Sequence, residues 1–193
     1  MAEPGAEAPD TYVYDPLDTR PAELYQKEIK NFITDQTNAL NLFGNGLVYH
    51  SEPFGANKEI TGQVRLVAWI AMDVPDTDFA VEVDEIKSDG TSILLTNDLM
   101  RACYRESLTE EKLVKSGEIN KYEFDRFTFF SRRLAKGSRL RLVLNCPNSI
   151  FFEKNYNSGK AVASESGKDA RTAHVVVYHD AVHKSYLEIP VVK

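Results

Sequence analysis

The chain predicts an all-β jelly-roll sandwich with a short helical segment near its N-terminus. Three observations carry that expectation. Strand signals follow one another without a break between residues 63 and 105, and helical periodicity largely disappears after Leu47. About eight or more short strands, separated by turn residues, then fill the rest of the sequence.

Taken in order, residues 1–10 read as a disordered or extended lead and residues 11–193 as a single domain. Thr11–Tyr14 is a short strand stopped by Asp15-Pro16. Pro21–Phe32 has helical spacing through Leu24, Tyr25, Ile29 and Phe32, with proline suited to a first-turn position. A second helical turn or two is expected over Asp35–Phe43, ended by Gly44. Leu47–His50 begins the strands. Gln63–Met72 then sets Val64, Leu66, Ala68, Ile70 and Met72 on one face and Val67, Trp69 and Ala71 on the other. With both faces apolar, the strand should be covered twice, by the core and by either the segment at 21–43 or another domain. That makes Trp69 a core or interface residue.

An acidic loop, Asp73–Asp78, leads into Phe79–Ile86, where Phe79, Val81 and Val83 alternate with Ala80, Glu82 and Asp84. This is a strand with one face toward water. Asp89-Gly90 should supply positive φ values for a tight hairpin turn, after which Thr91–Thr96 returns beside it. Met100–Arg105 reads as a further strand. Ser107–Val114 reads as one helical turn capped by Thr109 ahead of Glu110 and Glu111. Lys121–Phe124 alternates, Phe127–Phe130 is densely aromatic, and Lys136-Gly137 breaks the run. Ser138–Leu144 sets Arg139 and Arg141 against Leu140, Leu142 and Leu144. A long polar loop over Asn155–Arg171 separates these from strands at Thr172–Tyr178 and Ser185–Ile189.

Composition excludes several classes of function. The 193 residues carry a net charge of −6, with Lys and Arg scattered, which argues against a nucleic-acid partner. No stretch approaches the roughly 20 apolar residues that span a bilayer, so no membrane partner is expected. The first ten residues lack the basic start and apolar run of a signal peptide, and no Asn-x-Ser/Thr site occurs. These features favour an intracellular, cytoplasmic protein, or a fragment whose targeting signal lies elsewhere. Cys103 and Cys146 both lie in apolar, strand-like surroundings, where cysteine usually serves as a small buried hydrophobe; a disulfide between them is the less favoured alternative, since sequence gives no distance.

A series of short segments, in order, carries a family resemblance. They are Asp15-Pro16, Asp35-Gln36, Leu47–Pro53, Glu59–Gly62, Asp76–Phe79, Leu99–Ser107, Gly137–Leu142, Lys154–Gly159 and Val177–Asp180. Together they resemble the C-terminal domain of X-Pro dipeptidyl-peptidases and of the cocaine-esterase-like (CocE/NonD) acyl hydrolases. The resemblance implies a galactose-binding-like jelly roll that packs against an α/β-hydrolase domain carrying the Ser-His-Asp machinery. It therefore implies a non-catalytic accessory module, with that domain as partner and homo-oligomeric assembly left open. The sequence departs from the family pattern at Ser138, where histidine is common. It also departs at Asn145–Asn148, which replace a serine-rich turn, and at Thr19–Ala22, which lack a glycine pair.

The residues themselves point the same way. No Gly-x-Ser-x-Gly elbow occurs, and Ser138 continues straight into a strand, so no catalytic residue is assigned. Asp73, Asp76 and Asp78 are candidate calcium ligands, but an acidic surface turn explains them more simply. His179 and His183 have the spacing of a helical zinc pair, yet strand signals on both sides place them on a turn. His50 and His174 lie within strands. No metal or cofactor is therefore assigned. The rival reading, a free-standing carbohydrate-binding module, rests on Trp69 and the tyrosines as stacking platforms.

Overall fold

The structure, a computed structural model, describes residues 5–28, 41–147 and 152–192, with the side chains of residues 25–28 left aside. The expected turn over Asp35–Phe43 and the end of the first helix lie largely outside the described residues. Eleven strands and one helix are described, in the order β1 (Asp10–Tyr14), α1 (Arg20–Glu28), β2 (Gly46–His50), β3 (Lys58–Gly62), β4 (Arg65–Met72), β5 (Asp78–Ile86), β6 (Ser92–Arg101), β7 (Asn120–Phe124), β8 (Phe130–Leu134), β9 (Arg139–Asn145), β10 (Ala173–Tyr178) and β11 (Tyr186–Glu188). Pro21 occupies the first turn of α1, and Thr19 starts the helix by accepting the Glu23 N–H on its carbonyl at 2.9 Å.

The strands form two stacked antiparallel sheets and a small ribbon. In sheet A the order is β1-β10-β4, with β11 beside the first part of β4 and β7 along its opposite edge. Sheet B runs β2-β9-β5-β6, and β3 pairs with β8. Alternation then decides what is buried. Sheet A turns Tyr12, Tyr14, Leu66, Ala68, Ile70, Tyr122, Phe124, Val175 and Val177 inward, and sheet B answers with Phe79, Val81, Val83, Leu140 and Leu144. Phe79 and Tyr122 meet edge to face across the sandwich, with ring centroids 5.2 Å apart. Each such side chain contributes about 1.5–3 kcal/mol on burial, so this cluster needs no disulfide, and both cysteines are free and buried.

Four local expectations are corrected. Gly90 alone takes positive φ (88°), while Asp89 accepts the Thr91 N–H at 2.9 Å, so a side-chain turn replaces a two-residue left-handed one. Strand β6 does not stop at Thr96 but runs to Arg101, and its pairing with β5 shifts register between Val83 and Asp84. The chain then makes a single 3-10 turn at Ala102–Tyr104 where a strand was expected. Ser107–Val114 is not helical. Ser107 Oγ accepts the N–H groups of Thr109 and Glu110, a local hydroxyl turn that satisfies the backbone without a helix. Lys58–Gly62 forms β3, although its single buried apolar residue, Ile60, left little periodicity to read.

Candidate interdomain surface

The second face of β4 is the feature that asks for a partner. Val67 and Ala71 are buried there but stand outside the core cluster, whereas Leu66, Ala68 and Ile70 belong to it. Register fixes their neighbours: Trp69 lies beside Tyr178, Ala71 beside Val176, Val67 beside Tyr186, and Val13 beside His174. The small side chains in the middle are buried because taller ones flank them. Trp69, Val176 and Tyr178 remain half-buried, and Val13 and Tyr186 are exposed.

One segment of the chain partly covers this face. The loop between β10 and β11 contains Asp180, whose Oδ1 accepts the N–H groups of Val182 and His183 at 2.8 and 2.7 Å. Those bonds hold the carboxyl below the ordinary carboxylate range. They also aim the His183 ring edge-on at Trp69, at 5.3 Å, and toward Tyr178, at 5.5 Å. Ser185 Oγ accepts the Trp69 N–H and donates to the Tyr178 carbonyl, tying the loop to both strands. Beside the patch, Arg65 bridges Glu123 at 2.6 Å and Glu188 at 3.0 Å, and Lys121 joins Glu123. An apolar, aromatic centre with a charged border has the anatomy of a protein interface.

The acidic loop does different work from a cation site, and it is not a surface turn. Asp76 and Asp78 are buried, and their oxygens are already engaged. Asp76 accepts the Cys103 N–H at 2.9 Å and the Asn155 amide at 2.9 Å, while Asp78 accepts Arg101 Nε at 2.8 Å and Asn155 at 3.1 Å. Burial nevertheless holds the Asp76 carboxyl above its ordinary range. Asp73 points elsewhere, accepting the His174 N–H at 2.8 Å and pairing with its ring at 2.7 Å. These carboxylates therefore clamp the long polar loop and the turn after β6 onto the sandwich. Among the described residues no group of three or more His, Cys, Asp or Glu side chains is disposed to hold a metal ion.

The remaining candidates resolve similarly. His179 and His183 lie in the segment after β10, as their flanks implied, and they do not share a partner. His179 sits between Glu7 and Asp10, at 3.0 and 3.1 Å, so the leading residues are held against the end of β10. Ser138 is buried and donates to Glu85 at 3.0 Å. The imidazoles of His174, His179 and His183 bond carboxylates, and among the described residues no serine hydroxyl bonds an imidazole. Burial pushes the Cys103 and Cys146 thiols up to about 12, which leaves both protonated and inert at neutral pH.

On the outer face of sheet B, Arg141 is 2% exposed. It donates to Asp84 at 3.0 Å and to Ser92 at 2.8 Å. Glu82 stands nearby with no salt bridge among the described residues, and burial with the neighbouring Asp84 raises its carboxyl to about 7. Sequence reasoning paired none of these residues, nor Asp78 with Arg101 and Asn155. The alternation of Arg139 and Arg141 against leucines was visible, but it marked Arg141 as outward-facing rather than buried.

Comparison with known proteins agrees with this fold. Residues 2–188 match the family described as the X-Pro dipeptidyl-peptidase C-terminal non-catalytic domain. Cocaine esterase from Rhodococcus sp. (strain MB1 Bresler) is 28% identical over 98% of the chain, which spans 33% of that enzyme. Among solved structures, an aminopeptidase from the marine sediment archaeon Thaumarchaeota archaeon superposes with a TM-score of 0.86 at 18% identity. It covers all of this chain, which covers 34% of it. An α-amino acid ester hydrolase gives 0.86 at 17% identity, over 99% of this chain and 34% of its own. The chain thus spans about a third of the relatives it matches, and those structures share its fold. It belongs to the family of X-Pro dipeptidyl-peptidase C-terminal non-catalytic domains.

Proposed function

We propose that the chain, as one sandwich module from about residue 11 to its end, buttresses an α/β-hydrolase domain and helps wall its active-site cleft. The bond broken by that domain would be an X-Pro peptide bond or an ester. The observation that carries the docking reading is the second face of β4, where Trp69, Val176, Tyr178 and Tyr186 stand in or near solvent beside a charged border. The occupant follows from length, since each relative named above is about three times as long as this chain. Two buried, unpaired thiols support a reducing compartment, such as the cytoplasm, as its setting.

The experiment is to express the chain alone and joined to the hydrolase domain encoded with it, and to treat both with a fluorophosphonate probe. The isolated module should stay unlabelled and the joined protein should be labelled. Val176→Lys should then reduce ester and X-Pro amide hydrolysis in the joined protein while the isolated module keeps its thermal midpoint. Labelling of the isolated module, or full activity of the V176K protein, would count against the reading. A saturable glycan titration that Trp69→Ala abolishes would instead favour the carbohydrate-binding alternative.

A further inference from the structure

The residues that lead into β1 are tied to the end of β10 through one imidazole. Residues 5–9 belong to no strand, yet the Gly5 carbonyl accepts the Ala181 N–H at 3.0 Å, and Glu7 Oε2 lies 3.0 Å from His179 Nδ1. The other ring nitrogen, Nε2, is 3.1 Å from Oδ2 of Asp10, the first residue of β1. That same oxygen accepts the Tyr49 hydroxyl at 2.9 Å. Burial and the bond to Asp10 hold the Tyr49 hydroxyl above the ordinary phenol range, so it keeps its proton and donates it.

This arrangement dictates the charge of the ring. Ionised carboxylates only accept hydrogen bonds, and a neutral imidazole has a single N–H to give. Bonds to Asp10 and Glu7 at once need both nitrogens protonated, so the arrangement belongs to the imidazolium form. When the ring gives up a proton, the one that remains serves Asp10, which pairing with Val177 keeps in place. Glu7, exposed and outside any strand, is then left facing a bare nitrogen. The other titratable groups around the ring are Tyr49 on β2, Tyr186 on β11, and Asp180, His183 and Lys184 in its own loop. Strands β4 and β9 bring only leucine and alanine to that space.

The tie reaches the outer face of β4. Ala181 lies between Asp180 and Val182, in the loop that sets His183 against Trp69. We propose that residues 5–9 form a protonation-gated strap. The His179 imidazolium holds Glu7 and Asp10 together, and loss of its proton frees Glu7, slackens the bond from Ala181 to Gly5 and uncovers Trp69. The attached strap holds one more proton than the released one, so attachment is favoured at low pH and weakens as pH rises. Only the consequence for docking rests on the reading of the β4 face; the strap is a property of the chain alone.

The test is methyl and imidazole NMR of the folded chain at about pH 5 and about pH 8.5, on either side of the range in which histidine ordinarily changes charge. At the lower pH both ring nitrogens of His179 should be protonated and the Ala6, Ala8 and Ala181 methyls ordered. At the higher pH the Ala6 and Ala8 methyls should gain fast motion. Acrylamide should then quench Trp69, the chain's only tryptophan, about two- to fivefold more readily, the scale of one exposed ion pair. Glu7→Gln changes an exposed residue to an amide that can donate to a neutral ring or accept from a charged one, so its strap should stay ordered at both pH values. Equal order at both pH values in the unaltered chain, or an unchanged pH response in the Glu7→Gln chain, would overturn the proposal. Because the chain is measured without its partner, neither result depends on the docking reading.

Discussion

The two outer faces of the sandwich treat their side chains in opposite ways. On sheet B the buried cation at the centre already has its partners within the chain, because Arg141 is spent on Asp84 and Ser92. On sheet A the charges sit at the border in Arg65, Glu123 and Glu188, while the centre leaves Trp69, Val176 and Tyr178 half-buried. Burying an ion pair costs desolvation, which close geometry offsets, and it leaves little for another protein to gain. A half-covered aromatic patch is the reverse: each remaining Å² is worth about 25 cal/mol to whatever removes it from water. The comparison contrasts a buried ion pair on sheet B with the half-covered aromatic face of sheet A that carries the docking proposal.

Breaking the sheet B side should have the largest effect. Arg141→Ala leaves Asp84 buried and uncompensated and should cost about 3–5 kcal/mol of stability, read as a fall in urea midpoint at constant slope. Asn155→Ala removes a donor shared by Asp76 and Asp78 and should cost about 1–3 kcal/mol. Its signature is faster proteolysis within residues 155–171, where the loop loses its anchor. A loss confined to stability, with no change in cleavage site, would argue against the clamp.

Glu82 sharpens the comparison by pH. Its folded carboxyl keeps a proton up to about 7, whereas the ordinary value is 4.5. The folded state therefore holds the extra proton across that window, and stability falls as pH rises from about 4.5 toward 7. Glu82→Gln, which cannot ionise, should stabilise the chain by about 1–2 kcal/mol at pH 8 and by little at pH 4, read from denaturation at both values. An equal gain at both pH values would remove the titration from the account. The smallest effect belongs to sheet A, where Val176→Lys should change the isolated chain by no more than about 0.5 kcal/mol. That near-neutrality is what separates a docking face from a structural one.

The parts of this molecule that could be read from its residues are those governed by local period. Val64 to Met72 and Phe79 to Val83 show their alternation openly, and the β4 pattern even disclosed that both faces were apolar. Strand β6 was cut short in that reading because Asn97 and Asp98 interrupt its apolar residues. In the fold Asp98 is used across the chain, accepting the Arg126 N–H at 3.0 Å. The clamp at Asp76 and Asp78 was out of reach for a related reason. Its partner Asn155 is 79 and 77 residues away, and nothing local distinguishes a buried aspartate with distant partners from one in a surface turn. The ordered segments that resemble the hydrolase family succeeded because they sampled the whole chain. They identified the architecture, but not which face meets a partner.

The central claim is best tested by hydroxyl-radical footprinting of the isolated chain and of the same chain joined to the hydrolase domain proposed as its partner. Trp69 and Tyr178 should be oxidised readily in the isolated chain and protected several-fold in the joined protein, with little change at exposed Phe129 on the β3–β8 side. Equal oxidation of Trp69 and Tyr178 in both forms would contradict the account.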